Sequence, residues 1–147
     1  MPRTSDISSC GEDYERFIES ILETELVWTL VNDEGHYANS ESNDINGVAV
    51  LLFWSDKDDA TKVQKRQFPG FKAVTISLFD FIFRWLNGME KDNALVGPNF
   101  TDSLFGREIS PVEFQELLLN SMPEEQQVSY LAKLRLVQVR PDGRLDG

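Results

Sequence analysis

Val48–Ala49–Val50–Leu51–Leu52–Phe53–Trp54 is a continuous apolar run, entered from the polar stretch Ser40–Asn46 through Gly47 and left through Ser55–Asp56. A strand with one wet face alternates apolar and polar side chains, so seven apolar residues in succession call for cover on both faces. The run reads as a central strand. Upstream, Leu26–Val31 is rich in strand formers and stops at Asn32–Asp33–Glu34–Gly35; His36–Asn39 then completes a hairpin through that glycine-containing loop. Downstream, Pro69–Gly70 is a turn and Phe71–Ile76 a strand. Ala94–Val96 and Arg107–Ile109 read as shorter strands joined through the loop around Gly97–Pro98.

Helices begin between these strands with one recurring chemistry. Ser55 with Asp58, Ser77 with Asp80, and Ser110 with Glu113 each place a hydroxyl three residues before a carboxylate, and Pro111 fills the first helical position of the last. The helix after Ser55 is short and charged, with Ala60 and Val63 as its inner side. The helix after Ser77 carries Leu78, Phe79, Phe81, Ile82, Phe83, Trp85, Leu86 and Met89, which leave little polar face. It calls for enclosure on more than one side, or for a partner. Ser110–Ser121 is amphipathic through Val112, Phe114, Leu117 and Leu118. At the start of the chain, Ser9–Cys10–Gly11–Glu12 is a capping box ahead of Tyr14, Phe17, Ile18, Ile21 and Leu22 at helical spacing. Pro123–Glu124–Glu125 opens a final element left undecided, since Val128 and Leu131 fit a helix and Leu134–Val139 a strand. Pro141–Asp142–Gly143 is a turn or tail.

The expected fold is α+β: a single domain over residues 10–121, with a mixed, largely antiparallel sheet of about five strands and helices packed on it. Residues 1–9 form a tail, and 122–147 an extension of undetermined structure. The 147 residues are 41% hydrophobic with sixteen aromatics, enough for a substantial core. The single Cys10 excludes an intramolecular disulfide and reads as incidental. No apolar run approaches the ~20 residues of a membrane span, and Met1–Ser9 lacks the apolar segment of a signal peptide. The expected location is cytoplasmic, away from membranes.

Charge is distributed very unevenly. Met1–Asp56 holds twelve acids and two bases, Arg3 and Arg16, for a net −10; the rest of the chain holds thirteen acids and twelve bases, net −1. Such a field repels nucleic acid and acidic membranes and steers basic partners.

Motifs for catalysis are incomplete. Asp56–Lys57–Asp58–Asp59–Ala60–Thr61 ends an apolar strand, as the Mg²⁺-binding carboxylates of haloacid dehalogenase-like phosphatases do. That loop needs Thr or Val two places after its second Asp, where Ala60 stands, and helix capping accounts for the acids. Ser42–Asn43–Asp44–Ile45–Asn46–Gly47 imitates half a calcium loop, but Phe53 occupies the twelfth position that needs Glu. His36 is the sole histidine, which excludes His-based metal clusters, and no nucleophile-elbow sequence accompanies it. No catalytic residue, metal or cofactor is therefore expected.

Several landmarks taken in order resemble an uncharacterised bacterial family, domain of unknown function 2750. They are Phe17–Ile18, Val27–Trp28, Asp33–Glu34–Gly35, Trp54 ahead of an acidic helix with Ala60, Phe68 and Phe71. Ile76–Ser77–Leu78–Phe79–Asp80–Phe81 then continues to Trp85–Leu86, followed by Asp92, Val96–Gly97 and Pro111–Val112–Glu113–Phe114. The similarity runs from about Tyr14 to Ser121, and the chain departs from it at Leu52–Phe53, where Pro precedes the strand-ending Trp in the family. The resemblance implies a small α+β domain and supplies no catalytic residues.

The functional expectation is a non-enzymatic acidic protein that binds a basic protein partner, in its most concrete form a bacterial immunity or inhibitor protein against a cationic toxin or nuclease. The residues expected to face the partner are Glu12, Glu15, Glu19 and Glu23, with Asp33, Glu34 and Glu41. Phe100 and Phe105 join them as apolar contacts, because their loop offers no obvious burial. The alternatives are a ligand-binding or regulatory domain, with an aromatic pocket around Phe79 and Trp85, and a Mg²⁺ enzyme using Asp56 and Asp58. Homodimerisation through the apolar helix is left open.

Overall fold

Successive side chains of a strand point to opposite faces, and in this protein that alternation separates two cores. The computed structural model describes residues 14–104 and 106–136. In β3 (Ala49–Phe53) and its continuation, Val50, Leu52 and Trp54 enter one apolar cluster while Phe53 enters the other, with Leu51 packed against that second cluster. The same division holds in β1 (Leu26–Val31), where Val27 faces one core, and Trp28 and Leu30 the other. The apolar run is thus covered on both sides, as its composition required.

Two small sheets share the strands. β1 pairs antiparallel with β4 (Lys72–Ser77); β2 (Asn39–Glu41) pairs antiparallel and β5 (Leu95–Pro98) parallel with β3. An antiparallel bridge between Trp28 and Trp54 ties the sheets together. The fold is α+β with five strands among the described residues, single and compact, its pairing largely antiparallel.

The expected hairpin partner of β1 is built differently. Tyr37 bridges Val31, and Ala38 donates its N–H to Leu30, but the Ala38 carbonyl then accepts from Leu52. The chain changes partner at this fully buried alanine and continues as β2 on β3. Arg107–Ile109 shortens likewise to one bridge, Ile109 to Val96, while β5 extends through Gly97 and Pro98, where the sequence suggests a loop.

One core is roofed by α1 (residues 14–24), α5 (Pro111–Ser121) and a composite helix. That helix runs from α3 (Leu78–Asp80) through a π-turn (Phe81–Trp85) into α4 (Leu86–Lys91). Phe17 stacks on Phe114 with centroids 5.8 Å apart, and Phe81 meets Phe53 edge-on at 4.9 Å. Phe79, Phe81, Ile82, Phe83, Leu86 and Met89 are all buried, so the chain itself encloses the apolar helix. α2 (Lys57–Gln67) covers the other core through Ala60 and Val63.

Two caps form as the sequence indicates: Ser77 accepts from Asp80 N–H and Ser110 from Glu113 N–H, both at 3.2 Å. The third shifts by one residue. Asp56, not Ser55, caps α2 by accepting the Asp59 N–H at 2.8 Å. Ser55 is buried and paired with Asn99: its N–H donates to Asn99 Oδ1 at 2.9 Å, and its Oγ accepts from Asn99 Nδ2 at 3.1 Å. A hydroxyl turned inward after a buried strand needs such a partner, which leaves the exposed helix start to the carboxylate.

Beyond α5, Met122 and Tyr130 belong to the same core as Phe17. The undecided final element is a helix, α6 (Glu124–Leu136), over its described length. It docks on the end of α1, where Tyr130 donates to Glu25 Oε1 at 2.6 Å and Gln126 Nε2 to Leu22 O at 3.1 Å. The Ser9–Glu12 capping box, Cys10, Phe105 and Pro141–Gly143 lie outside the described residues.

At Gly97 β5 lies close against its surroundings: a Cβ there would come within 2.8 Å of Val50, Leu52 and Phe100 side-chain carbons. Gly97→Ala should cost about 1–3 kcal/mol in urea denaturation, as overpacked cores do. A second prediction concerns pH. Burial first, and then the hydrogen bond and charge of Glu25, push the Tyr130 phenol well above the ordinary tyrosine pKa. A raised folded-state pKa contributes stability that is fully present below about pH 10 and is lost as pH rises through the folded value. Stability should therefore fall above about pH 10 in the wild type and fall less in Tyr130→Phe, read from urea midpoints across that range.

Candidate functional site

The acids expected to face a partner divide into two groups. Glu15, Glu19 and Glu23 lie at four-residue steps on α1, exposed, on the side away from buried Phe17 and Ile21. Glu12 precedes them outside the described residues. Asp33 and Glu34 sit exposed in the turn after β1, which Asn32 organises by accepting the Glu34 and His36 N–H groups at 3.0 and 2.9 Å. Gly35 supplies its positive φ of 84°. Glu41 is exposed on β2. β1 separates α1 from the turn by roughly 17 Å, five steps of about 3.3 Å, so the two acidic groups are not one cluster.

Arg16 is committed across the fold, its Nη1 2.8 Å from Asp59 and 3.4 Å from Asp56. The strand-end carboxylates that suggested a metal site thus hold a guanidinium, and Asp56 also caps α2; Asp58 is exposed. The calcium-like loop is likewise occupied from within. Glu108 accepts from Ser42 Oγ and, at 2.8 Å, from the Asn43 N–H, while Ser42 Oγ accepts from the Asp44 and Ile45 N–H groups. Among the described residues, no three of His, Cys, Asp and Glu are grouped to hold a metal ion.

Phe100 corrects the expectation that its loop offers it no burial. It is 2% exposed, in the core beneath α2, and its carbonyl accepts from the Trp54 indole at 2.9 Å. The ring fills the space that Gly97 and Gly106 leave by lacking side chains. It cannot contact a partner from there.

The aromatic pocket is also relocated. Phe79 is buried against Phe83 and Tyr130, with the Lys133 ammonium 4.4 Å above its ring. Trp85 lies elsewhere, half-buried beside an open cleft of about 380 Å³ lined by Tyr37, Leu51, Arg84, Trp85, Gly88, Met89 and Asp92. Tyr37 and Trp85 meet edge-to-face at 4.7 Å, and Phe53 backs Trp85 at 5.8 Å. Nothing lies within 4 Å of where a Gly88 side chain would begin, which keeps the wall open. Arg84 is drawn back along its own helix, Nε 3.6 Å from Asp80.

The π-turn sets this geometry. Its widened ring, with the Leu86 N–H bonded to Phe81 O, displaces the carbonyl pattern of an α-helix. Side chains reach carbonyls of this turn: Gln115 Nε2 donates to Ile82 O and Asn87 Nδ2 to Phe83 O, both at 2.8 Å. Tyr37, Gly88 and Asp92 escape sequence reasoning because a hairpin and a helix meet to place them; the half-polar Tyr and Trp were the available signal. Gln115→Leu should cost about 1–3 kcal/mol by leaving Ile82 O short of a donor, and should change Trp85 emission without loss of helix content by circular dichroism.

No helix among the described residues is long and apolar enough to cross a membrane. No curated protein matches the chain. The model of the family described as "Protein of unknown function (DUF2750)" matches residues 14–118, from Tyr14 in α1 to the last buried leucine of α5. The chain belongs to the DUF2750 family.

Proposed function

We propose that this protein is a non-enzymatic acidic binding protein that engages a basic protein partner, with an immunity or inhibitor protein against a cationic toxin or nuclease as its most concrete form. The observation that carries the reading is the exposure of Glu15, Glu19 and Glu23 along one side of α1, in a chain segment whose described base, Arg16, is already paired with Asp56 and Asp59. Charges so arranged raise encounter rates with a cationic surface and weaken as salt screens them. The Trp85 cleft favours a second reading, a small-ligand or regulatory domain, because it combines an aromatic wall with polar groups at its mouth.

Affinity capture from lysate of the source organism at low and high salt tests the first reading. A basic protein should be retained at about 50 mM salt and largely lost at about 500 mM, where the Debye length shrinks toward 4 Å. The triple variant Glu15→Gln/Glu19→Gln/Glu23→Gln should slow association about tenfold with little change in dissociation. Equal capture by the triple variant would rule out α1 as the partner face.

A further inference from the structure

The cleft beside the π-turn has a composition that selects for one kind of occupant. Its walls are largely apolar and aromatic, from Leu51, Met89, Tyr37 and Trp85, and its charged lining is Arg84, paired with Asp80, and Asp92, exposed at the end of α4. In an edge-to-face pair one ring spends a face on the other's edge, while the edge-on ring keeps its own faces out of the pair. Asp92 is the acid of the lining; Asp33 and Glu34 lie in the turn of the hairpin that supplies Tyr37. At about 380 Å³ the cleft lies near the lower end of ligand-pocket volumes, about 300–1,000 Å³, suited to a side chain rather than a large cofactor.

We infer that the cleft is the anchoring subsite for an arginine side chain of the basic partner. This rests on the reading that the partner is a basic protein, and it assigns contact recognition to Tyr37, Trp85 and Asp92, with α1 left to long-range attraction. The aliphatic stem of the arginine packs on Leu51 and Met89, and its guanidinium stacks on the aromatic wall and forks to the Asp92 carboxylate. Arginine fits better than lysine because a planar, weakly hydrated cation loses less on entering a half-apolar cleft than a compact ammonium does. Arg84 also lines the cleft, and its charge is offset by Asp80, whose Oδ1 lies 3.6 Å from its Nε.

The test is titration of the full chain with N-acetyl-arginine amide, followed by amide and indole NMR shifts. N-acetyl-citrulline amide and N-acetyl-lysine amide serve as neutral and ammonium comparisons. Arginine amide should shift Tyr37, Gly88, Asp92 and the Trp85 indole saturably, citrulline amide should not, and lysine amide should bind more weakly. Asp92→Asn changes an exposed side chain that caps nothing, so it should fold normally while weakening arginine amide at least about tenfold. The α1 triple Gln variant should leave this affinity nearly unchanged. Shifts confined to α1, equal binding of citrulline amide, or an Asp92→Asn variant that binds as wild type would each overturn the subsite. Partner capture separates the two readings. A basic protein held by Asp92→Asn as by wild type refutes the anchor and leaves the acidic-face reading intact. Arginine amide bound in the cleft with no basic protein captured sustains the subsite and refutes the partner.

Discussion

Side-chain alternation along β3 is the constraint on which the arrangement of this protein depends. Val50, Leu52 and Trp54 point to the side covered by α2, and Leu51 and Phe53 to the side covered by α1, α5 and the composite helix. A slip of one residue in the pairing with β5 would send every one of these side chains to the wrong core. Fully burying each is worth about 1.5–3 kcal/mol, whereas an exposed pair such as Arg16–Asp59 contributes about 0–1 kcal/mol. Apolar burial therefore places α1 and α2, and the ion pair between them follows from that placement.

Enclosure of an all-round apolar helix creates the second dependency. Phe81, Ile82 and Phe83 are consecutive and all buried, which a regular helix with one inner stripe does not readily allow. The π-turn puts more residues in each turn, so consecutive side chains are separated by a smaller angle and share a buried sector, and Gln115 and Asn87 donate to carbonyls within it. The same turn leaves Trp85 half-buried at the cleft. Core packing and the candidate site are thus coupled through one irregular stretch of backbone, consistent with the frequent occurrence of such turns at functional positions.

Two length scales separate the charged features. At physiological salt the field of an exposed carboxylate extends about 8 Å, so on the proposed reading Glu15, Glu19 and Glu23 would act before contact and lose influence once a partner is seated. The Trp85 cleft would act only at contact. Buried aromatic anchors set dissociation in most interfaces, and peripheral charges mainly set association. A protein that bound through α1 alone would associate fast and release fast; an apolar subsite is the element that would prolong residence.

Much of the fold was legible locally. β1 and α5 follow directly from strand formers and from a capping serine with proline behind it, because hydroxyl caps and β-branched runs act over a few residues. The central position of β3 was legible because seven apolar residues allow no wet face. Charge asymmetry, too, is a property of composition. Local patterns could not show that Ala38 changes strand partner, that Ser55 turns inward to Asn99 while Asp56 caps α2, or that Phe100 fills the space above Gly97 and Gly106. Each depends on a group at least fourteen residues away or on competition between neighbours for one hydrogen bond, except the Gly97 and Gly106 contacts, which depend on how a loop closes. The cleft has the same character. Its aromatic and acidic residues come from a hairpin and from a helix far apart in the chain, and only tertiary packing, which is non-local, sets Tyr37 against Trp85 with Asp92 at the opening.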